Sequence, residues 1–349
     1  MNKIITTPLN FKREPHDCDL LILAAGFEDR ALYFLSNSNF KKDAHCILIE
    51  FPNHPEFNSN IYTTYFNKAS ELFAKEKIHI VQLGENSIQS FEKDLNIQLL
   101  ELPRSINKVW IDISGMPTYA VCITLNSVRT FYPAQTQNII YSAAESYFPT
   151  FEEHEKLSKE SANNEEFVPR AMAMEMSEVL ILETFSGHRS KEGISCLAVF
   201  PGYDANRTGG VIDSINPSML LFLFGDPDGS DLKWRLNLSK QLHRKFESTR
   251  KTAVEVVSTL DPNQSLNVLE EYYGFLFEDY DFTIAPICSK MQVVGTFLFW
   301  ERYKEVQLVF PLPVGYDLAK KPLGTSATFI TNLEPRNSLY RSFTDKSLP

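Results

Sequence analysis

The sequence predicts an α/β protein built from two tandem Rossmann-like units with mainly parallel sheets. Short, continuously apolar runs alternate with helix-length segments along both halves of the chain. This alternation is typical of βαβ units, whose strands are covered by helices on both faces. A similar turn, containing a glycine, an aromatic residue, an acid and an arginine, follows the first apolar run in each half. The length of 349 residues and the hydrophobic fraction of 43% are sufficient for two cores.

Five apolar runs in the first half are predicted to be strands. They cover residues 19–26, 45–51, 78–84, 108–115 and 138–144. The segments between them, for example 28–37 and 60–77, have the length and mixed polarity of helices. Strands that alternate with helices in this way predict a parallel sheet.

The second half repeats this order. Its predicted strands cover residues 196–202, 219–226, 252–260, 281–287 and 305–313. Ninety residues separate Gly26 from Met116, and 89 separate Gly202 from Met291. Landmarks in the same order at nearly the same spacing indicate an internal duplication. The alternative is that any two five-stranded α/β units place glycines and acids at strand ends, because the chain must turn there.

These patterns divide the chain into three predicted parts. Residues 1–150 form the first Rossmann-like domain, residues 151–195 a linker with a connecting helix, and residues 196–349 the second domain with an irregular C-terminal tail. The helix is predicted over 170–185, where Met and Leu recur at helical spacing. The tail is predicted to be irregular because glycines and prolines interrupt its pattern.

The composition excludes several classes of function. A net charge of −10 disfavours broad binding of duplex nucleic acid, which requires a basic surface. The five cysteines lack zinc-ligand spacing, so we predict no metal site and reduced thiols in a cytoplasmic protein. No apolar run has the length of a membrane span, and we predict no membrane partner.

The candidate ligand-binding residues lie at the predicted carboxyl ends of strands, where open parallel sheets bind ligands. Glycines allow close backbone approach, helix N-termini attract anions, and arginines bind phosphate or carboxylate through paired hydrogen bonds. The first set contains Gly26, Phe27, Glu28, Arg30, Ser114, Gly115 and Met116. The second set contains Gly202, Tyr203, Asp204, Arg207, Ser289 and Lys290. The alternative is structural, because acids are favoured at helix starts and Glu28 and Arg30 can each pair with a neighbouring residue.

Motifs for common cofactors and nucleophiles are absent from the sequence. Only one glycine follows the first predicted strand, so the GxGxxG dinucleotide motif is missing, as are the P-loop and the GxSxG elbow. Asp112 is interpreted as a structural cap rather than a catalytic carboxylate. Catalytic residues and cofactors therefore stay unassigned, and the sequence favours a protein that is not an enzyme.

Two short sequences in the first half carry a family resemblance: Ala25-Gly26-Phe27-Glu28 and Asp112-Ile113-Ser114-Gly115-Met116-Pro117. They resemble the strand-end turns of CRISPR-associated Rossmann-fold (CARF) sensor domains, and the tandem arrangement resembles the SAVED sensors of bacterial anti-phage signalling. The resemblance covers residues 19–145 and 196–313. It implies that turns from two copies of the domain meet at a two-fold axis and bind a nucleotide or cyclic oligonucleotide. It also implies that a separate effector protein carries the output.

The sequence also departs from this family. The fourth-strand turn of the family has two glycines followed by Thr-Lys. Here Pro117 and Thr118 stand in the first half, and only Lys290 matches in the second half.

We therefore predict a ligand-sensing or partner-binding component of a prokaryotic anti-phage defence system, with a nucleotide in the strand-end crevice. Two alternatives stay open. One is a two-domain transferase acting on a nucleotide-linked substrate, which would have a cleft with a carboxylate or histidine near a diphosphate site. The other is a non-catalytic subunit of a multiprotein complex that does not respond to small ligands.

Overall fold

The computed structural model describes residues 4–11, 15–51, 55–84, 88–161, 176–188, 194–227, 229–247 and 250–336. The chain divides into two compact units. Unit 1 comprises Met1–Ser146 together with Pro322–Pro349, and unit 2 comprises Tyr147–Lys321.

The elements follow the alternating order that the sequence predicts. Unit 1 begins with β1 (Thr6–Pro8), β2 (Leu20–Ala24), α1 (Asp29–Asn37), β3 (His45–Glu50), α2 (Pro55–Leu72), β4 (Ile78–Gln82), α3 (Ile88–Glu101), β5 (Lys108–Asp112), α4 (Thr118–Phe131) and β6 (Thr136–Ala143). Unit 2 contains α5 (Phe151–Ser161), β7 (Met176–Leu180), β8 (Ser195–Phe200), α6 (Ala205–Ile215), β9 (Met219–Asp226), α7 (Lys233–Glu247), β10 (Lys251–Ser258), α8 (Pro262–Leu276), β11 (Asp281–Pro286), α9 (Lys290–Arg302), β12 (Gln307–Leu308) and β13 (Phe310–Pro313). The last strand, β14 (Ala327–Leu333), lies in unit 1.

Unit 1 contains a seven-stranded sheet in the order β1-β14-β6-β5-β2-β3-β4. The five strands from β6 to β4 are parallel, whereas β14 runs antiparallel to β6 and β1 antiparallel to β14. All five residues of β2 are buried, which explains why this run is continuously apolar. The strand order reverses between β2 and β5, so the ends of these two strands form the topological switch point.

Unit 2 contains a five-stranded parallel sheet in the order β10-β9-β8-β11-β12. Its first strand is central, the next two lie on one side and the last two on the other, as for β2 to β6 in unit 1. The predicted fold class, two Rossmann-like α/β units with mainly parallel sheets, is confirmed. The internal duplication stays a prediction.

A helix-on-sheet core fixes the strand ends of unit 1. Phe34 and Leu35 of α1 are fully buried against Leu21 and Leu23 of β2. Full burial of each such side chain contributes about 1.5–3 kcal/mol. This packing holds the turn between β2 and α1 in one position.

The predicted connecting helix is wrong over residues 176–180. These residues form β7, which pairs antiparallel with β13 in a separate two-stranded sheet, and residues 170–175 lie outside the described residues. Met176 also packs on Gly210 of α6. Pairing and packing with distant residues therefore override the helical spacing of Met and Leu.

The predicted irregular C-terminal tail is also wrong over residues 327–333. This segment forms β14 and pairs with β6 over seven residues, from Ala327 opposite Ala143 to Leu333 opposite Gln137. Its threonines, isoleucine and phenylalanine suit a strand, and β6 offers a free edge to pair with. The segment therefore completes the sheet of unit 1 rather than extending unit 2.

Candidate functional site

The two predicted turns of unit 1 are in backbone contact. Because β2 and β5 are neighbouring strands, Gly26 and Gly115 meet at their carboxyl ends. A Cβ atom added to Gly26 would lie 2.7 Å from the Cα of Gly115, and one added to Gly115 would lie 2.6 Å from the carbonyl oxygen of Ala24. The glycines are thus required by the close approach of the two turns.

Arg30 is held by groups of its own unit. Its Nε donates to the Glu28 carboxylate, and its Nη1 donates to the carbonyl oxygen of Ser142 at 2.9 Å. The guanidinium also lies over the ring of Tyr141, and the residue is only 4% exposed. This arrangement matches the structural alternative, in which Glu28 and Arg30 pair with neighbouring residues. In the structure they pair with each other, and Arg30 joins α1 to the end of β6.

Ser114 and Met116 are buried in the turn after β5. The Ser114 amide donates to Oδ1 of Asp112 at 2.9 Å, and the Ser114 hydroxyl accepts from the amide of Ser142 at 2.8 Å. Asp112 therefore stabilises the turn, as a capping residue does. Phe27, in the turn after β2, is partly exposed.

The matching turn in unit 2 is built differently. Asp204 is the N-cap of α6 and accepts from the amides of Asn206 and Arg207, both at 3.1 Å. Glu28 occupies the same position before α1 but makes no side-chain cap hydrogen bond. A Cβ atom on Gly202 would lie 3.4 Å from the carbonyl oxygen of Ile287, an ordinary contact. The turn of unit 2 is therefore less crowded than that of unit 1.

Arg207, the second predicted arginine, is also engaged within its unit. Its Nη2 donates to the carbonyl oxygen of Pro311 at 2.9 Å, which joins α6 to β13. Burial lowers the pKa of the Arg207 guanidinium, although Asp204 opposes this effect. Like Arg30, Arg207 therefore stabilises the packing of elements within its own unit.

Ser289 and Lys290 lie at the start of α9. Ser289 is the N-cap and forms a capping box with Gln292, and its hydroxyl donates to the carbonyl oxygen of Thr259 at 2.7 Å. Lys290 is the first helical residue and is half-buried. In unit 1 the N-cap of α4 is Pro117, so Ser114 precedes it by three residues. The two Ser-x-Met sequences therefore occupy different positions relative to their helices.

A cluster missed by the sequence analysis surrounds Arg235 in the first turn of α7. Its Nη2 donates to the carbonyl oxygens of Tyr147 and Pro149, the latter at 2.7 Å. The guanidinium carbon lies 4.8 Å from the ring centroid of Trp234, 5.3 Å from that of Tyr203 and 5.9 Å from that of Tyr147. Arg235 is 7% exposed. The predicted turn residue Tyr203 thus meets a buried cation at the carboxyl end of the sheet.

In the described part of the chain, the charge of Arg235 has no acidic partner. No Asp or Glu among the described residues forms an ion pair with it. Burial raises the pKa of Tyr203, with Arg235 opposing the rise, so the phenol is neutral at neutral pH. An uncompensated buried ion costs several kcal/mol, of which a cation–π contact returns about 0.5–2 kcal/mol. Of the five N–H donors of the guanidinium, Nη2 uses two for the backbone carbonyls and one more goes to the Tyr203 hydroxyl, so two donors on Nε and Nη1 are left for an anion.

Aromatic side chains form the rim beside this cation. His154 of α5 stacks on Trp234 with ring centroids 4.8 Å apart, and Phe151 contacts Trp234 edge-on. Phe151 is 53% exposed. The arrangement combines a positive charge with aromatic faces, which are the two groups that bind the phosphate and the base of a nucleotide.

One local signal could have identified Arg235. An adjacent tryptophan and arginine, Trp234 and Arg235, open the helix that follows a predicted strand. The contributions of Tyr147 and Phe151 had no such signal, because they come from a part of the sequence far from α7.

Metal-binding groups and membrane-spanning helices are both absent from the described residues. Within the described ranges, no group of three or more His, Cys, Asp or Glu side chains is placed to hold a metal ion. No helix in the same residues is long and apolar enough to cross a membrane.

The fold and its strand-end turns define the chain as a tandem Rossmann-like α/β protein. No family model matches the sequence, and no curated protein matches it. Among solved structures, the chain is similar to a Type III CRISPR defence DNA nuclease activated by cyclic oligoadenylate, with 11% identity and a TM-score of 0.46. The alignment covers 80% of this chain and 63% of that chain.

A second alignment is with the adenylation, ketoreductase and pseudo Asub multidomain structure of a keto acid-selecting NRPS module. Its identity is 12% and its TM-score 0.17, and it covers 81% of this chain and 27% of that chain. The chain thus spans less than two thirds of the length of either protein.

Proposed function

We propose that this chain is a cytoplasmic ligand-sensing component of a prokaryotic defence system, and that unit 2 binds a nucleotide at the carboxyl end of its sheet. The observation that carries this proposal is the buried guanidinium of Arg235, which has aromatic neighbours and, among the residues that the structure describes, no acidic partner. The defence role and the separate effector protein follow the resemblance of the strand-end turns to CARF and SAVED sensors.

The proposed ligand places a phosphate on Arg235. A phosphate oxygen accepts hydrogen bonds from Nε and Nη1, and its negative charge compensates the buried cation. The base lies against the aromatic rim formed by Phe151, His154 and Trp234. Stacking of this kind contributes about 1–3 kcal/mol per base and tolerates different bases.

The same contacts make the site suitable for sensing. Arg235 on α7 already holds the carbonyl oxygens of Tyr147 and Pro149, next to the start of α5, and faces Tyr203 before α6. A phosphate bound to the guanidinium changes the strength of its hydrogen bonds to these carbonyl oxygens and of its contact with Tyr203. Ligand binding is therefore coupled to the segment that precedes α5.

The strand-end turns of unit 1 are a second part of this proposal. Gly26, Phe27 and Gly115 lie at the switch point of that sheet, where we propose a separate strand-end site. Pro117 has no acceptor with which to cap α4, so an anion is favoured at that helix start. Glu28 and Arg30 hold the turn in position.

Isothermal titration calorimetry with the full chain tests the assignment. The probes are inorganic phosphate, AMP, ATP and cyclic tetra-adenylate. We expect at least one nucleotide to bind, and Arg235→Gln to weaken that binding by a factor of about ten or more, since a charge-assisted hydrogen bond contributes about 1.5–3 kcal/mol. The matched control is Arg244→Gln, which removes an exposed arginine from the same helix.

Two outcomes refute the proposal. One is that no probe binds the wild-type chain. The other is that a folded Arg235→Gln variant, with an unchanged far-UV circular dichroism spectrum, binds the nucleotide as tightly as the Arg244→Gln control.

A further inference from the structure

The sheet of unit 2 ends in a long edge strand, β10. All eight of its residues pair in register with β9, from Lys251 opposite Met219 to Ser258 opposite Asp226. Within the described residues, β10 has no other strand partner. At the end of the strand the Ser258 amide donates to Oε1 of Gln264 at 2.8 Å. The outward amide and carbonyl groups of Thr252, Val254 and Val256 are a template for another strand.

The other sheet edges are shorter. The opposite edge of unit 2, β12, has two residues, and the edges of unit 1, β1 and β4, have three and five. Short edge strands offer few hydrogen bonds to another chain. Among the edges that the structure describes, β10 therefore provides the longest pairing surface.

The side chains of β10 do little to prevent pairing. Val254 and Val256 are 40% and 38% exposed on one face of the strand. Many protected edges carry prolines or bulges, whereas β10 contains no proline and its register with β9 is continuous. Lys251 and Glu255 lie on the other face, where Glu255 accepts from the hydroxyl of Tyr272 of α8 at 2.8 Å.

We propose that β10 pairs antiparallel with β10 of a second copy of this chain, with the two-fold axis at Val254. In this register Val254 faces Val254 of the partner subunit, and Thr252 faces Val256 of the partner subunit. These are β-branched pairs, which stabilise antiparallel strands. The two five-stranded sheets join into one.

In the same register, the charged residues of β10 lie near opposite charges of the second copy. Lys251 lies diagonally across from Glu255 of the partner subunit, within reach of its long side chain, and the symmetry repeats this pair. No two like charges face each other directly. This self-complementarity favours a second copy of the chain over an unrelated strand, whose charges would have to match independently. The inference does not depend on the ligand site at Arg235.

Sedimentation velocity and disulfide trapping of the full chain test this proposal. We expect the wild-type chain, of 39.9 kDa, to sediment as a dimer at high concentration. Val254→Lys should give a monomer, because two lysines would face each other at the axis. The matched control, Val314→Lys, changes a valine that is 64% exposed elsewhere in unit 2 and should leave the dimer intact.

A cysteine at the axis tests the register. Facing residues in an antiparallel pair have Cα atoms about 4.5–5.5 Å apart, which suits a disulfide. Val254→Cys should therefore form a covalent dimer on oxidation, whereas Thr252→Cys should not, because it faces Val256. A wild-type chain that stays monomeric overturns the proposal, as does a dimer that survives Val254→Lys without cross-linking through Val254→Cys. Nucleotide binding by the same samples reports separately on Arg235.

Discussion

Gly26 and Gly202 occupy the same position, two residues before an N-cap, yet we predict opposite responses to alanine. Neither has a positive φ angle, so the contacts of the added methyl group decide the result. At Gly26 the methyl carbon would lie 2.7 Å from the Cα and 3.0 Å from the carbonyl oxygen of Gly115. At Gly202 it would meet one atom, the carbonyl oxygen of Ile287, at 3.4 Å.

The size of the effect follows from these contacts. The atoms that face Gly26 belong to backbone at the end of a buried strand, so they cannot turn aside as a side chain does. Forcing a methyl group into such a closed site costs about 1–3 kcal/mol. Gly202→Ala should cost little, or stabilise the protein by about 0.4–1 kcal/mol through the reduced entropy of the unfolded chain.

Urea unfolding followed by far-UV circular dichroism measures both variants. Gly274→Ala in α8, where an added Cβ meets nothing within 4 Å, is the control for a helical glycine and should be stabilising. Equal destabilisation by Gly26→Ala and Gly202→Ala would show that the two turns are equally crowded and would refute the reasoning.

Two further predictions concern unit 2. Asp204→Ala should lower the free energy of unfolding by about 1 kcal/mol, because the N-cap of α6 loses its bonds to Asn206 and Arg207; urea unfolding measures this, and an unchanged midpoint would contradict the capping role. Burial lowers the pKa of His243 from 6.5 to about 4, so the unfolded chain binds a proton that the folded chain excludes, and stability should fall as the pH decreases from 6.5 to about 4. His243→Gln should reduce this dependence in urea midpoints measured across that range, and an equal slope would assign the effect to other groups.

The alternation of apolar runs and helices was sufficient to predict the fold class. Runs such as 19–26 are continuously apolar because β2 is buried on both faces, and this property depends on local sequence. Gly26 and Gly115 were both predicted at strand ends, and they meet because β2 and β5 are neighbouring strands. That residues 176–180 and 327–333 form strands could not be predicted in this way, because β7 and β14 each pair with a strand more than 100 residues away.

The candidate site was predictable only in part. Tyr203 was identified from its turn, but its partner Arg235 belongs to another helix and its carbonyl ligands at Tyr147 and Pro149 lie 86 or more residues earlier. Arg30 and Arg207 looked available from sequence because arginine next to a strand end suits an anion. In the structure, nearby backbone carbonyls and a carboxylate bind them instead.

The return of β14 to the first sheet makes unit 1 discontinuous, with the whole of unit 2 inserted between β6 and β14. During synthesis on the ribosome, β6 is translated first, and its edge stays unpaired until β14 is translated almost two hundred residues later. Unit 2 is contiguous, so its fold can be complete while the sheet of unit 1 still lacks a strand. The seven-stranded sheet of unit 1 can therefore be completed only after the whole of unit 2 has been synthesised.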